Sequence, residues 1–526
     1  MSVLPCRLCG CLPRYRLRSY SSSTNQSRKS KWKSVIGLEI HAQILSKSKL
    51  FSGSSTKYGA PVNTQVSFFD AALPGTLPVL NRRCVEAGVL TAMALNSKIN
   101  KISKFDRKHY FYADLPSGYQ ITQQRQPLAV GGELAYVNFN PSVHKQPIKK
   151  KAKLVQIQLE QDSGKSLHDL EEKQSLIDLN RAGTGLMEIV TEPDFTSGEE
   201  AASFVKELQL ILQSIGTCDG KMSEGSLRVD ANISIHQEGE SLGTRTEVKN
   251  INSIRGIAKA IEFEIKRQIS EKESGRQIVN ETRTFDAESG ETLPMRDKEK
   301  ILDYRFMPEP NLPPVHVYDS VGPGVSVEHV VIINQLKEQL QELPEEKRRR
   351  VQKQYGLPLN TAVILVNEPG LLSFFEEVLQ DSKRDPVAVV TILVNEFLGQ
   401  IHSREITVTN SPVSAVSFGE LCDMLSSEKI SLSTAKKVLA LMFEKPESRP
   451  QDIVSEKNWL QVSDTKLIEE TCRNVLTNSP KLVTEYKKGK KKVLNALIGQ
   501  IQKDFQGRAN PRLVIETLQR LIDSEM

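Results

Sequence analysis

The sequence predicts an α+β chain, an N-terminal antiparallel sheet with helices followed by a helical region. Three observations predict it. Several stretches between residues 35 and 249 alternate apolar and polar residues at period two, the pattern of half-buried strands. From about residue 323 the periodicity becomes helical, with Gly, Asp and Pro breaks. A chain of 526 residues also has room for two to four domains, at about 100–200 residues each.

The first 33 residues differ in kind from the rest. They hold Arg7, Arg14, Arg16, Arg18, Arg28, Lys29, Lys31 and Lys33, and no acid precedes Glu39. Serines cluster at Ser19 and Ser21–Ser23, and Val3, Leu4, Leu8 and Leu12 add apolar weight. That composition is expected of an organelle transit peptide over residues 1–30. A basic nucleic-acid arm is the other reading. The whole chain carries +6, but without those eight cations 62 basic residues face 64 acids. Net charge therefore does not mark a nucleic-acid binder, and any such surface must be a local patch. The cysteines (Cys6, Cys9, Cys11, Cys84, Cys218, Cys422, Cys472) form neither a disulfide framework nor a paired metal motif. No run approaches the roughly 18 apolar residues of a membrane span, so no membrane partner is expected.

Residues 35–44 open the strand series. Leu38, Ile40, Ala42 and Ile44 share one face, and Glu39, His41 and Gln43 share the other. Ala72–Pro78 follows in a loop-rich stretch, and Asn81–Leu95 reads as a helix capped by Asn81. Lys104–Pro116 is dense in cations and rings, suited either to stacking on a base or to packing a domain floor.

The polar strand face then recurs. Gln156, Gln158, Glu160 and Asp162 alternate with Val155, Ile157 and Leu159. Arg228, Asp230, Asn232, Ser234 and His236 alternate with Leu227, Val229, Ala231, Ile233 and Ile235, and Arg245, Glu247 and Lys249 share a face. Carboxylates collected on one side of a sheet repel unless a cation neutralises them. A divalent ion would do so, with Glu39, His41, Glu160, Asp230 and Glu247 as candidate ligands. Arg228, Arg245 and Lys249 could do so instead. Gly164-Lys165-Ser166 is no phosphate-binding loop, because Leu159 stands where that motif needs Gly.

Glu328–Gln354, Asn360–Gln380 and Pro386–Ile401 read as helices, and a further helical block follows Pro412. Within it Lys487, Lys488, Lys490, Lys491 and Lys492 make five lysines in six residues, suited to a phosphate backbone or to a solvated face.

With these residues in view, the chain resembles the GatB family, the tRNA-dependent B subunit of the aspartyl/glutamyl-tRNA amidotransferase, in its mitochondrial form. The resemblance rests on Val35–His41, Leu73–Val79, Lys104–Lys108, Asp178–Thr184, Glu188–Asp194, Glu224–Asn232, Glu247–Ser253 and Tyr304–Pro310, and continues in Tyr486–Lys490 and Gly507–Pro511. It implies a catalytic cradle domain over residues 31–315, a helical domain over 323–405 and a small helical tail over 412–526 that binds tRNA through the lysine run. It also implies ATP and Mg²⁺, and Glu-tRNA(Gln) as substrate. The implied partners are an amidase that releases ammonia and a small subunit that straps the complex together, in the mitochondrial matrix. In that scheme Glu39, His41 and Glu160 lie around the metal, Asp230 and Glu247 are less direct matches to its ligands, and Lys108, Glu160 and Asp162 are catalytic.

Two departures stand out. Ser117 occupies a position where the family often has Lys, and the family's paired acids become Glu160-Gln161. The first removes any gate that needs a Lys there, and the second leaves Glu160 or Asp162 for the metal. Two other functions are open: a non-catalytic tRNA-binding or assembly subunit, and amidation of Asp-tRNA(Asn). If residues 1–30 are a presequence, the mature chain begins after a cut such as Tyr20/Ser21, with Arg18 just upstream. N-terminal sequencing of the protein extracted from organelles checks this, and an intact Met1 refutes it.

Overall fold

The computed structural model describes residues 31–139, 146–169, 171–295, 304–322, 330–380, 384–462, 464–487, 490–505 and 507–524. The expected leader (1–30), the expected start of the helical domain at 323, and Lys488 lie outside the described residues.

The strands run in chain order as β1 (Trp32–Gln43), β2 (Lys98–Ile99), β3 (Ile102–His109), β4 (Tyr119–Gln126), β5 (Ala129–Val130) and β6 (Glu133–Asn138). Then come β7 (Ile148–Gln161), β8 (Lys165–Asp169), β9 (Gln174–Asp178), β10 (Gly185–Thr191), β11 (Leu227–Gln237) and β12 (Thr246–Ile251). The last are β13 (Thr282–Asp286), β14 (Glu291–Pro294), β15 (Arg305–Pro308), β16 (Val315–Tyr318) and β17 (Val331–Ile332). A ten-stranded sheet takes the order β14-β13-β12-β11-β1-β10-β7-β5-β2, with β6 also on β7. A smaller sheet, β15-β3-β16-β17 with β4 on β3, packs beside it.

The sheet is mixed, where an antiparallel one is expected. β12 and β13 pair in parallel, as do β16 and β17. The helix between β12 and β13 (α3, below) supplies the crossover that a parallel pair requires.

The alternation in β1 is realised as read. Ile36, Leu38, Ile40 and Ala42 are buried, and Glu39, His41 and Gln43 face the polar side. The apolar side packs on α1 (Arg82–Ala94), α2 (Gly198–Ser214) and α3 (Ile254–Glu273) in one core. Each helix begins at a side-chain cap, Asn81, Ser197 and Ser253 respectively. Gly88 lets α1 approach closely, since a Cβ there would collide with the Leu128 side chain. This core also takes in Val317, Val331 and Leu336, beyond the limit expected at 315. The reason is that β16 pairs with β3 and β17.

Beyond it the chain is helical. Glu328–Gln354 is not one helix: α4 (Ile333–Glu338) and α5 (Pro344–Tyr355) part at Leu343-Pro344. Asn360–Gln380 divides into α6 (Leu359–Asn367) and α7 (Leu371–Val378) at Pro369-Gly370, where Gly370 takes a φ of 80°. α8 (Pro386–Ile392) runs through a π segment, Leu393–Phe397, into α9 (Leu398–Ser403). α10 (Ala415–Ser426), α11 (Leu432–Glu444) and α12 (Pro450–Glu456) share a core with α6–α9, so the expected division at 405–412 falls inside that core. A third core holds α13 (Thr465–Asn478), α14 (Pro480–Lys487), α15 (Leu494–Asp504) and α16 (Pro511–Ser524). Among the described residues, no helix is long and apolar enough to cross a membrane.

One buried ion pair ties the sheet body to the helices. Arg348 of α5 is 1% exposed and pairs with Glu207 of α2, 5% exposed, while its other amino group donates to Asn367 Oδ1 at 3.1 Å. Burial pushes the Glu207 carboxyl upward against the pull of Arg348. Arg348→Ala would strand that carboxylate and should cost about 3–5 kcal/mol. Chemical denaturation of the variant checks this. The double change Glu207→Gln/Arg348→Met should cost clearly less, because neither charge is then left alone.

Candidate metal centre on the polar sheet face

The strand order decides which polar side chains meet. β1 lies between β10 and β11, with His41 opposite Glu188 and Arg228. β7 lies on the far side of β10, with Glu160 opposite Leu186. Leu186 is buried, so Glu160 reaches diagonally past it and meets the ring of His41, Nε2 to Oε1 at 3.3 Å. His41, Glu160 and Glu188 each offer a ligand atom, and these atoms lie within 4.8 Å of one another.

Short polar contacts from β4 and β7 hold the two acids. Thr122 Oγ1 donates to Glu160 Oε2 at 3.3 Å, and Gln158 Nε2 donates to Thr122 at 3.2 Å and to Glu188 at 2.5 Å. Lys108 of β3 adds a nearby cation, with its Nζ 4.4 Å from the Tyr304 ring centre. Around it Tyr110 packs edge-on against Tyr112 and Tyr304, and Arg107 lies over Tyr119 while gripping Glu309. The cation–aromatic stretch therefore builds mostly a floor, although Phe111 stays 84% exposed.

Electrostatics in this group run against ordinary titration. Burial would depress His41, but the hydrogen bond to Glu160 and the charges of Glu160, Glu188 and Asp230 outweigh it and raise its pKa to about 9. Burial would raise Glu160, but His41, Lys108 and Glu188 hold it well below the carboxylate range. Glu188 goes the other way, pushed up by burial and then by the charges of Glu160 and Glu39. An imidazolium and a shared proton thus do the neutralising that a divalent cation could do. One nitrogen and two carboxylate oxygens suit such an ion, and positions would remain for water or phosphate oxygens. The imidazole also makes Mn²⁺ at least as good a fit as Mg²⁺.

The remaining candidates lie outside this group. Asp162, 4% exposed, accepts from Arg228 at 3.0 Å and lies 3.5 Å from Arg181. Glu39 accepts from Asn232 at 2.9 Å, and Asp230 accepts the backbone N–H of Asn250 at 2.8 Å. Glu247 lies 3.2 Å from Thr282 Oγ1 and 3.8 Å from Lys249, and its pKa is raised, chiefly by burial. Arg228 and Lys249 thus neutralise acids, each in its own place. Of the five candidate ligands the geometry joins His41 and Glu160, adds Glu188, and leaves Glu39, Asp230 and Glu247 further out. Beside the acids a cavity of about 310 Å³ is lined by Leu73–Thr76, Leu115–Ser117, Gln161, Asp162 and Gly183 among others. Ser117 lies in its wall and donates to Tyr119 O at 2.7 Å.

Of the lysine run, Lys487 is the last residue of α14, and Lys490 to Lys492 precede α15, with Lys491 opening a 3₁₀ turn. Lys490 is 68% exposed and 3.3 Å from Glu485, and Lys492 is exposed.

Residues 34–322 match the model of the GatB/GatE catalytic domain, and residues 373–522 match that of the GatB domain. The chain belongs to the GatB family. It is 51% identical over 516 residues to the mitochondrial glutamyl-tRNA(Gln) amidotransferase B subunit of Danio rerio, covering 98% of this chain and 92% of that one. With the human protein of that name identity is 53% over 492 residues, 93% and 88% of the two chains. With the aspartyl/glutamyl-tRNA(Asn/Gln) amidotransferase B subunit of Rickettsia felis it is 46% over 494 residues, 94% and 98%.

Within this GatB chain, Glu188 is the residue that sequence reasoning missed as a ligand. The signal was present but thin. Glu188 is the sole acid of β10, between buried Met187 and Ile189, in a stretch that otherwise reads as core. Because a ligating imidazole must be neutral, a metal here displaces protons from His41 and Glu188. Affinity for Mn²⁺ should therefore rise with pH toward about 9, where His41 loses its proton. Calorimetry in buffers of different ionisation enthalpy should register proton release. Glu188→Gln should weaken Mn²⁺ binding by at least the ~10–100-fold typical of losing an outer-shell partner.

Proposed function

We propose that this chain transfers the γ-phosphoryl group of ATP to the side-chain carboxylate of a glutamate esterified to tRNA(Gln). A carboxylate oxygen attacks the γ-phosphorus and ADP leaves. Ammonia then attacks the acyl carbon, phosphate departs, and the extra proton on nitrogen passes to solvent or phosphate. The product is Gln-tRNA(Gln). The observation that carries this reading is the convergence of His41, Glu160 and Glu188 beside Lys108, in a chain whose relatives are named for this amidation.

Phosphoryl transfer needs positioning and charge neutralisation more than a covalent nucleophile. Mg²⁺ held by His41, Glu160 and Glu188 would supply charge compensation for the phosphates. Lys108 adds a cation for the phosphoryl oxygens, and Glu39, Asp230 and Glu247 extend the negative field that favours the metal. Asp162, gripped by Arg228 and Arg181, acts as a positioning residue for the end of β7. Ammonia comes from a partner amidase, with a small strapping subunit in the complex, in the mitochondrial matrix. Catalysis is assigned to the sheet body and tRNA binding to the C-terminal helices, where Lys487, Lys488, Lys490, Lys491 and Lys492 meet the tRNA body. The Rickettsia relatives' name favours one second reading, amidation of Asp-tRNA(Asn).

The test is the assembled complex carrying Glu160→Gln, a change that keeps size and removes charge. ATP-dependent amidation of Glu-tRNA(Gln) should fall by about 10²-fold or more while glutamine hydrolysis by the amidase persists. Unchanged amidation would sink the assignment of Glu160 to the metal shell. Mischarged Asp-tRNA(Asn) in the same assay separates the two substrates.

A further inference from the structure

Strand β7 is longer than the acid cluster requires. Its second half carries Glu160, but its first half pairs with β6 and carries Lys149, Lys150, Lys151 and Lys153. The core residues of β7 are Ala152 and Leu154, then Ile157 and Leu159. The step of three between Leu154 and Ile157 is a bulge, and the register with β10 slips there, from Gln156 opposite Val190 to Leu154 opposite Thr191. One residue of alternation is absorbed. Lys149, Lys151 and Lys153 therefore fall on the same face as Gln156, Gln158 and Glu160. At about 3.3 Å per residue, Lys153 lies about 23 Å along the strand from Glu160.

The three lysines are exposed and continue onto a second basic surface. Lys149 Nζ lies 2.9 Å from Glu345 Oε1, and Arg349 lies 3.7 Å from that same oxygen. Arg349, 74% exposed, and exposed Lys353 extend the cations along α5. Lys151 pairs with Glu133 at the surface, whereas Lys150 points to the core side and pairs with Glu200 of α2. Surface pairs of this kind are weak and exchange readily for a phosphate.

We propose that Lys149, Lys151 and Lys153, with Arg349 and Lys353, bind the phosphate backbone of the acceptor stem of tRNA. This rests on the reading above. Acids at the reacting end repel phosphate, so the stem must be held by cations set back from them. A setback of about 23 Å leaves room for the unpaired 3′ end of the RNA between the held stem and Glu160. The stem would lie along β7 with its aminoacylated end directed at Glu160.

The experiment uses the assembled complex, an acceptor-stem minihelix and full-length Glu-tRNA. Changing Lys149, Lys151 and Lys153 together to Ala should weaken minihelix binding by about tenfold and flatten the log–log salt dependence by about 2–3, at 0.7–0.9 per lost contact. KM for Glu-tRNA should rise while kcat at saturating tRNA holds. The Lys→Arg triple should restore both affinity and slope. Unchanged affinity and slope overturn the proposal. If the Ala triple fails to assemble, the single change Lys153→Ala carries the test, and an unchanged salt slope there overturns the proposal. If the wild-type complex binds the minihelix through these lysines yet amidates nothing, the strip stands and the functional reading falls.

Discussion

Three ionisable groups within 4.8 Å on a desolvated sheet face set the terms for everything around them. Two carboxylates that close cannot both stay charged without a cation between or beside them. His41 takes that part by holding its proton, and Glu188 relieves the rest by holding its own. Thr122 and Gln158 donate to the same acids, and Lys108 adds charge from the neighbouring sheet. The result is a centre whose polar atoms are held in place by one another and by the neighbouring donors.

The same logic explains why the other acids do not crowd in. Asp162 continues the face of Glu160, yet Arg228 and Arg181 compensate its charge where it is buried. Asp230 spends one oxygen on the Asn250 N–H, and Glu39 one on the Asn232 amide. A sheet face with this many carboxylates stays stable because each has a donor or cation of its own. The acid-rich pattern is therefore a series of local solutions around one centre.

Much of this was legible from residue order alone. The alternation in β1, β7 and β11 placed Glu39, His41, Glu160 and Asp230 on polar faces, and the Asn81 cap fixed the start of α1. The breaks at Pro344 and Pro369-Gly370 were visible as residues, but helical periodicity on both sides hid them as boundaries. β10 was not legible as a site strand. Its single acid sits among residues that read as core, and β10 enters the site only because the sheet inserts it between β1 and β7. Cores also crossed the expected divisions near 315 and 405–412, since packing joins elements that composition separates.

The sequence by itself determined the class of the fold, which faces of which strands are polar, and the chemical types gathered there. Those follow from period-two alternation and residue chemistry, both local properties. Tertiary structure decided partnership: that Glu160 reaches across β10 to His41, that Asp162 turns to Arg228, and that a bulge brings Lys149, Lys151 and Lys153 onto the face of Glu160. Strand order and register arise from long-range pairing, and a one-residue slip would move every one of these side chains to the opposite face.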